Sequence, residues 1–465
     1  MKVLGEVKAT PEQLIILKHA PAGTLVIRGA AGSGKTTTAL LRLKFVLDFW
    51  AREAERLGKS VRVLVLTYNK TLRGYVAELA RQQVKSYPNA DIEIKTFASW
   101  AVTRLGNPDV VREDYLALKI NTLGQGLPLD SAFLVEEANY ILGRFPFDEL
   151  DDYVEAKREG RGKNPQVKTA LRKLILSQVV VPYLAWLNVT NSSDWVGLAH
   201  ALSTNPQQPF YDIVVVDETQ DFTANRVRAI MAHLRERNSL TFVLDGAQRI
   251  YPDYFTWNEV GIDASPGNVK TLSTNYRNTK EIATFAQPII AGLELGPDAA
   301  IPNPASCERQ GEKPWVVAGR FSEQIAFAVD RIRNHIDLDS ESVAFLHAKG
   351  GRWFSALKEA LTTAGIEHVT LSRESEWPSS SVNVALCTMH SAKGLEFDHV
   401  FILGLNQEVT EHDGENDDEQ LARLRRLMAM AIGRARVSLC VGYKVEDASV
   451  LTRYFSPGTF VLVSP

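Results

Sequence analysis

The sequence is short of cysteine, of long apolar runs and of net charge. Its three cysteines, Cys307, Cys387 and Cys440, are widely spaced and odd in number. That fits neither a CxxC zinc site nor a closed disulfide framework, and the simplest reading is three buried thiols. Uninterrupted apolar stretches such as residues 25–27 and 64–66 fall far short of the roughly 20 residues that span a membrane, so no transmembrane helix is expected. The start, MKVLGEVKAT, has a lysine but no following apolar region; a cleaved secretory leader is not expected, and the expected location is the cytoplasm. Fifty-two Lys and Arg against 55 Asp and Glu give a formal charge of −3. No global basic field advertises nucleic acid, so any polyanion site must be local.

The 465 residues, 45% of them hydrophobic and 23% charged, with 30 Gly and 20 Pro, describe an ordinary globular chain and exclude fibrous, disordered and disulfide-scaffold classes. At roughly 150 residues per domain the length suggests about three units. Short β-branched runs, each followed by a polar or Gly turn and then a helical pattern, recur as in parallel α/β proteins. Residues 24–28, 61–67, 211–217 and 240–245 read as buried strands of one block, and 314–317, 342–347, 382–388, 399–403 and 437–442 as those of a second. Within the first block, from residue 105 to about 205, the texture turns helical. The expected organisation is a first lobe over 1–105 and 206–275, interrupted by a helical insertion over 106–205, and a second lobe over 276–465. The insertion carries the most basic stretch, residues 157–163, which is either a solvated face or a polyanion contact. The acidic residues 411–419 read as an exposed loop.

One local signal carries chemistry. Gly29-Ala30-Ala31-Gly32-Ser33-Gly34-Lys35-Thr36 fits GxxxxGK[ST] directly after a predicted strand and before a helical pattern that includes Thr37. Gly29, Gly32 and Gly34 let backbone N–H groups turn inward around a triphosphate, with Ser33 and Thr37 beside them. Lys35 would pair the terminal phosphate oxygens, and Thr36 would ligate Mg²⁺. Phosphoryl transfer also needs carboxylates, and a buried strand delivers Asp217 and Glu218 at its C-terminal end. Asp217 is the expected Mg²⁺ partner and Glu218 the group that orients and deprotonates water.

With these in place, the remaining blocks fall in an order that resembles the UvrD/Rep-type superfamily 1 helicases over nearly the whole chain. Thr10-Pro11-Glu12-Gln13 is similar to the adenine-reading Q motif, with Gln13 offering both a donor and an acceptor. Residues 66–70 and 95–97 resemble two strand-contacting motifs, which assigns Thr67, Asn69, Thr96 and Phe97. Residues 244–251 resemble the block whose glutamine senses the γ-phosphate, here Gln248. Asn275-Tyr276-Arg277 is similar to the element in which Tyr276 stacks on adenine and Arg277 reaches the γ-phosphate. Residues 387–397 resemble TxHxxKGLEF, which implies nucleic-acid contacts for Thr388 and His390 and a nucleotide contact for Glu396. The last motif, over residues 425–435, carries a finger role to Arg434. Tyr254, Phe255 and Trp257 all lie where the base-stacking aromatic is expected, with Trp257 preferred. Ala98, Ala429 and Gly433 depart from the family's His, Tyr and Thr.

The resemblance implies two RecA-like parallel-sheet lobes of the P-loop NTPase kind with ATP and Mg²⁺ between them. It implies an ATP-dependent 3′ to 5′ translocase and helicase on single-stranded DNA or a tailed duplex. The span between Arg277 and His390 is taken up by second-lobe elements, so the family's second accessory subdomain is expected to be absent or vestigial. Two other readings stay open. One is an RNA translocase. The other is a nucleotide- or DNA-end-sensing subunit that gates a protein partner, such as a nuclease or a repair or defence factor.

Overall fold

The computed structural model describes residues 9–29, 32–67, 77, 87–157, 166–208, 210–244, 255–293, 303–372, 382–410 and 419–464. Asn69, Gln248, Tyr254, most of the basic stretch and nearly all of the acidic one lie outside them. Six strands, β1 (Gly23–Gly29), β2 (Val61–Thr67), β3 (Ala90–Thr96), β4 (Tyr211–Val216), β5 (Leu234–Leu244) and β6 (Val269–Leu272), form one sheet in the order β3-β2-β4-β5-β1-β6. Every pairing in it is parallel. Leu25, Val26 and Ile27 of β1 are fully buried. Both faces of the strand are covered, which is why the run is continuous and not alternating.

The second sheet uses β9 (Trp315–Ala318), β10 (Val343–His347), β11 (Val369–Leu371), β12 (Val384–Thr388), β13 (Phe397–Ile402), β14 (Ala435–Tyr443) and β15 (Val461–Val463). Its order is β11-β12-β10-β13-β14-β9-β15, again parallel throughout. Between the sheets, β7 (Asn275–Thr279) and β8 (Cys307–Arg309) make a small separate ladder. The chain is therefore α/β with two parallel-sheet lobes. Cys387 and Cys440 are buried thiols, while Cys307 is half-buried.

Helices between β3 and β4 build a core of their own around Ile120, Leu134, Tyr140, Ile141, Val179 and Tyr183. The last of them, Trp195–Thr204, instead packs Leu198, Ala199 and Leu202 into the first sheet's core. The helical unit is fastened to that lobe by Arg144, which donates to Glu259 at 2.6 and 3.0 Å, and by Asn225, which donates to the carbonyls of Leu142 and Phe145. Arg423 of the second lobe reaches Glu136 of the same unit at 2.9 Å.

One helix bears on the expectation that no segment crosses a membrane. The continuous helical run Thr169–Val189 is 21 residues long and its most apolar 18-residue window has a mean hydropathy of 1.3, enough by length and composition to cross a membrane. It is not an unbroken apolar string, because Arg172, Lys173, Ser177, Gln178 and Asn188 interrupt it, and so it escapes a search for contiguous apolar residues. Its Ile175, Leu176, Val179, Tyr183 and Leu187 pack into the helical unit's core.

Two predictions follow from these contacts. Arg144→Met strips a largely buried ion pair from Glu259 and should lower stability by about 2 to 4 kcal/mol in urea unfolding. Arg237→Ala, which breaks an exposed pair with Glu53, should cost no more than about 1 kcal/mol. His347 is the second case. Its buried Nδ1 accepts from the N–H groups of Lys349 and Gly350 at 3.1 and 2.8 Å, and burial pushes its pKa down to about 4. Because this folded-state value lies below the ordinary one near 6.5, stability should be full above pH ~6.5 and fall as pH drops towards ~4. His347→Asn keeps an acceptor and should remove that part of the slope in pH-dependent unfolding.

Candidate functional site

The C-terminal ends of β1 and β4 flank that of β5, so the glycine-rich turn and the paired carboxylates face one crevice, the usual ligand position of a parallel sheet. Gly32 and Gly34 have φ of +82° and +77°, a backbone that L side chains rarely adopt and that a phosphate-cradling turn requires. The 22-residue helix Lys35–Arg56 begins at that turn with Gly34 as its cap. The Nζ of Lys35 donates to the carbonyl of Gly29 at 2.6 Å. The hydroxyl of Ser33 is buried without a hydrogen-bond partner, which suits a cradle for an acceptor-rich group. Thr37 is half-buried on the helix's first turn.

The hydroxyl of Thr36 donates to Asp217 Oδ2 at 2.9 Å. Burial first, and then the neighbouring Glu218 carboxylate, push the Asp217 pKa up to about 7, against the opposing pull of Thr36, the Glu218 N–H and Lys35. Two converging carboxylates beside a hydroxyl make a hard oxygen donor set, and a divalent cation would relieve their repulsion. The residues therefore fit Mg²⁺. Glu218 stands at φ +53°, a strained backbone for a residue with a Cβ and one that clusters at functional sites. Its carboxylate accepts from the amide of Gln220.

Where the chain leaves the first sheet it docks on this turn. The backbone N–H groups of Tyr276 and Arg277 both donate to the carbonyl of Gly32, at 3.0 and 3.2 Å. A Cβ at Gly32 would come within 2.2 Å of Asn275 Oδ1 and 2.9 Å of Arg277 Cβ, so only glycine permits the approach. The Arg277 guanidinium then reaches into the second lobe, pairing with Glu396 and donating to the carbonyl of Gly433. Burial alone would raise Glu396, but Arg277, aided by Arg436 and Arg434, outweighs it and holds the carboxyl below its ordinary value. Arg434 is buried, its guanidinium donating to the carbonyls of Met430 and Leu395 at 3.1 and 3.2 Å. Arg277, Glu396 and Arg434 thus belong to one region beside the Gly32 turn.

Other assigned residues lie close by or apart. Gln13 closes a capping box with Thr10 and directs its amide nitrogen to the Gly34 carbonyl at 3.5 Å, so its polar atoms already have partners within the chain. Thr67 and Thr96 end the paired strands β2 and β3 in register, and Thr96 also caps the next helix. Phe97 is buried against Trp100 and Phe222. Trp257 packs half-buried on Phe242 and Phe255. Thr388 ends β12 and its hydroxyl bonds Ser391 Oγ at 2.9 Å, in the turn that carries His390. The sequence reading overlooked Lys393 and Asp221, which meet across the seam at 2.6 Å; Lys393 lies inside the 387–397 motif and Asp221 three residues beyond Glu218, but nothing local indicates that they touch.

Residues 12–253 match the AAA domain family, and residues 366–446 match the UvrD-like helicase C-terminal domain family. Among curated proteins the chain is 24% identical to DNA helicase IV of Escherichia coli over 490 aligned positions, covering 92% of this chain and 67% of that protein. It is 26% identical to RecBCD enzyme subunit RecB of Mycolicibacterium smegmatis, over 31% of this chain and 15% of that one. It is 33% identical to ATP-dependent DNA helicase Rep of Buchnera aphidicola subsp. Schizaphis graminum, over 18% of this chain and 13% of that one. The chain thus spans 15%, 67% and 13% of the lengths of RecB, helicase IV and Rep. With the cradle, the paired carboxylates and both family matches in their expected order, the chain belongs to the UvrD/Rep-type superfamily 1 helicases.

Proposed function

We propose that this protein is an ATP-dependent translocase and helicase on single-stranded DNA or a tailed duplex, moving 3′ to 5′ and hydrolysing ATP in the seam between its lobes. The observation that carries the reading is the docking of Tyr276 and Arg277 on the Gly32 carbonyl while Arg277 is tied to Glu396. A phosphate group in the cradle would meet residues of both lobes, so its arrival and loss would bias how the lobes sit.

In this reading Gly29 to Thr37 hold the triphosphate, Gln13 and Tyr276 the base, Glu396 adds a further nucleotide contact, and Thr36 with Asp217 hold the metal. Bound Mg²⁺ would supply charge neutralisation at the phosphates. Glu218 orients the attacking water and accepts its proton, and Gln248 senses the terminal phosphate. Arg277 and Arg434 stabilise the charge that develops on the transferred group, a role worth roughly 10³ to 10⁵ in turnover where an arginine finger is removed. Thr67, Asn69, Thr96, Thr388 and His390 contact the strand, with Tyr254 or Trp257 stacking on a base, while Phe97, buried on Trp100 and Phe222, supports the Thr96 turn from the core instead of touching the strand. Such contacts grip without reading sequence, because phosphates and π-faces recur at every nucleotide.

A second reading draws on the likeness to a protein named as a subunit of the RecBCD enzyme. Here the same ATPase would sense DNA ends and gate a partner such as a nuclease or another repair or defence factor.

Glu218→Gln should lower strand-stimulated ATP turnover by at least about 10²-fold while nucleotide and oligonucleotide binding persist; parental turnover would remove Glu218 from the base role. Arg434→Ala should keep strand binding and lose roughly 10³-fold in turnover, and an unchanged rate would exclude the finger assignment. Strand displacement on 3′-tailed and 5′-tailed duplexes tests the activity itself. The 3′-tailed substrate should be unwound in an ATP-dependent way, and ATPase activity without displacement of either would favour the sensor reading.

A further inference from the structure

The buried Lys393–Asp221 contact joins the two turns that matter most to the proposed cycle. Lys393 Nζ lies 2.7 and 2.6 Å from the two carboxylate oxygens of Asp221, and both side chains are almost wholly buried, at 3% and 0% exposure. Asp221 closes the short turn that starts at Asp217 and Glu218, and its N–H donates to the carbonyl of Glu218 at 3.0 Å. Its neighbour Phe222 packs on Phe97, next to Thr96. On the other side, Lys393 sits in the turn that follows Thr388 and carries His390, its N–H donating to the His390 carbonyl, while the Ala392 N–H donates to the Thr388 carbonyl at 3.0 Å. A few covalent and hydrogen-bonded steps thus connect the carboxylate that would activate water to the residues assigned to the strand.

A desolvated ion pair contributes little net stability, because taking both charges out of water offsets most of their attraction. Its value lies in what happens when it breaks, since each partner then keeps a buried charge that has lost its nearest opposite. That makes the seam sensitive to any movement of either turn.

We infer that Lys393 is a positioning residue that holds Asp221, and through it the strained Glu218 turn, in hydrolytic geometry, and that a nucleic-acid strand seated on the 388–394 turn stabilises this pairing. The pair is then the element by which strand occupancy sets the rate of ATP hydrolysis. This rests on the proposed strand-dependent ATPase.

The test compares ATP turnover with and without saturating oligo-dT for the wild-type chain, Lys393→Met, Lys393→Arg, Asp221→Asn and the double variant Asp221→Asn/Lys393→Met. The double variant removes both charges together and leaves none unpaired, so it remains informative if a single substitution impairs folding. Lys393→Met and the double variant should lose at least tenfold in oligo-dT-stimulated kcat, with the ATP KM within twofold and oligo-dT affinity within threefold of wild type. Lys393→Arg, which keeps the charge, should recover part of the stimulation. Undiminished stimulation in Lys393→Met and in the double variant would overturn the inference. So would a parallel loss of ATP binding, oligo-dT binding and melting temperature in every variant, since that is a structural role alone. If the wild-type chain itself shows no stimulation by oligo-dT, the functional reading fails and takes this inference with it.

Discussion

The whole arrangement depends on a close backbone approach at Gly32. Its carbonyl accepts from two successive N–H groups where the chain crosses from one lobe to the other, and no side chain larger than hydrogen leaves room for that approach. The phosphate cradle therefore cannot be described by the first lobe alone. Asn275 and Arg277 form one wall of it, and Arg277 continues to Glu396 and Gly433 in the second lobe. A ligand that changes the cradle must push on, or be held by, residues that belong to both sheets.

The charges in the seam show why such a site should respond to a ligand. On one side, Asp217 and Glu218 crowd two carboxylates together, and burial pushes Asp217 up to about 7, a cost that a cation would remove. On the other, Glu396 is held below its ordinary value by Arg277, with Arg436 and Arg434 adding to the effect. Negative charge unsatisfied on one lobe and arginines gathered on the other are what a metal–triphosphate pair would bridge. The positive φ of Glu218 adds local strain at the residue proposed to handle water.

Much of the fold was legible because parallel strands covered on both faces leave continuous β-branched runs. The runs at 61–67 and 211–216 are such cases, and the α/β class followed from them. The strands that escaped notice are at or near sheet edges or are very short. β3 reads ADIEIKT, whose charged alternation suits a surface loop equally well, and β15 has only three residues. The glycine-rich turn before its helix was legible because its signal is local, a few glycines, one lysine and one threonine in fixed spacing. Lys393 and Asp221 were not, because nothing in either motif says that residues so far apart in sequence meet. The burial of Phe97 likewise depends on Phe222, which only the assembled core brings to it.

In the proposed cycle a triphosphate is gripped from both lobes at once. A crystal structure with a non-hydrolysable ATP analogue, Mg²⁺ and oligo-dT tests it most directly. The terminal phosphate should lie within hydrogen-bond reach of Lys35 and of Arg277 or Arg434, with the metal on Thr36 or Asp217. A nucleotide seated in the cradle with both arginines turned away from its phosphates would contradict it.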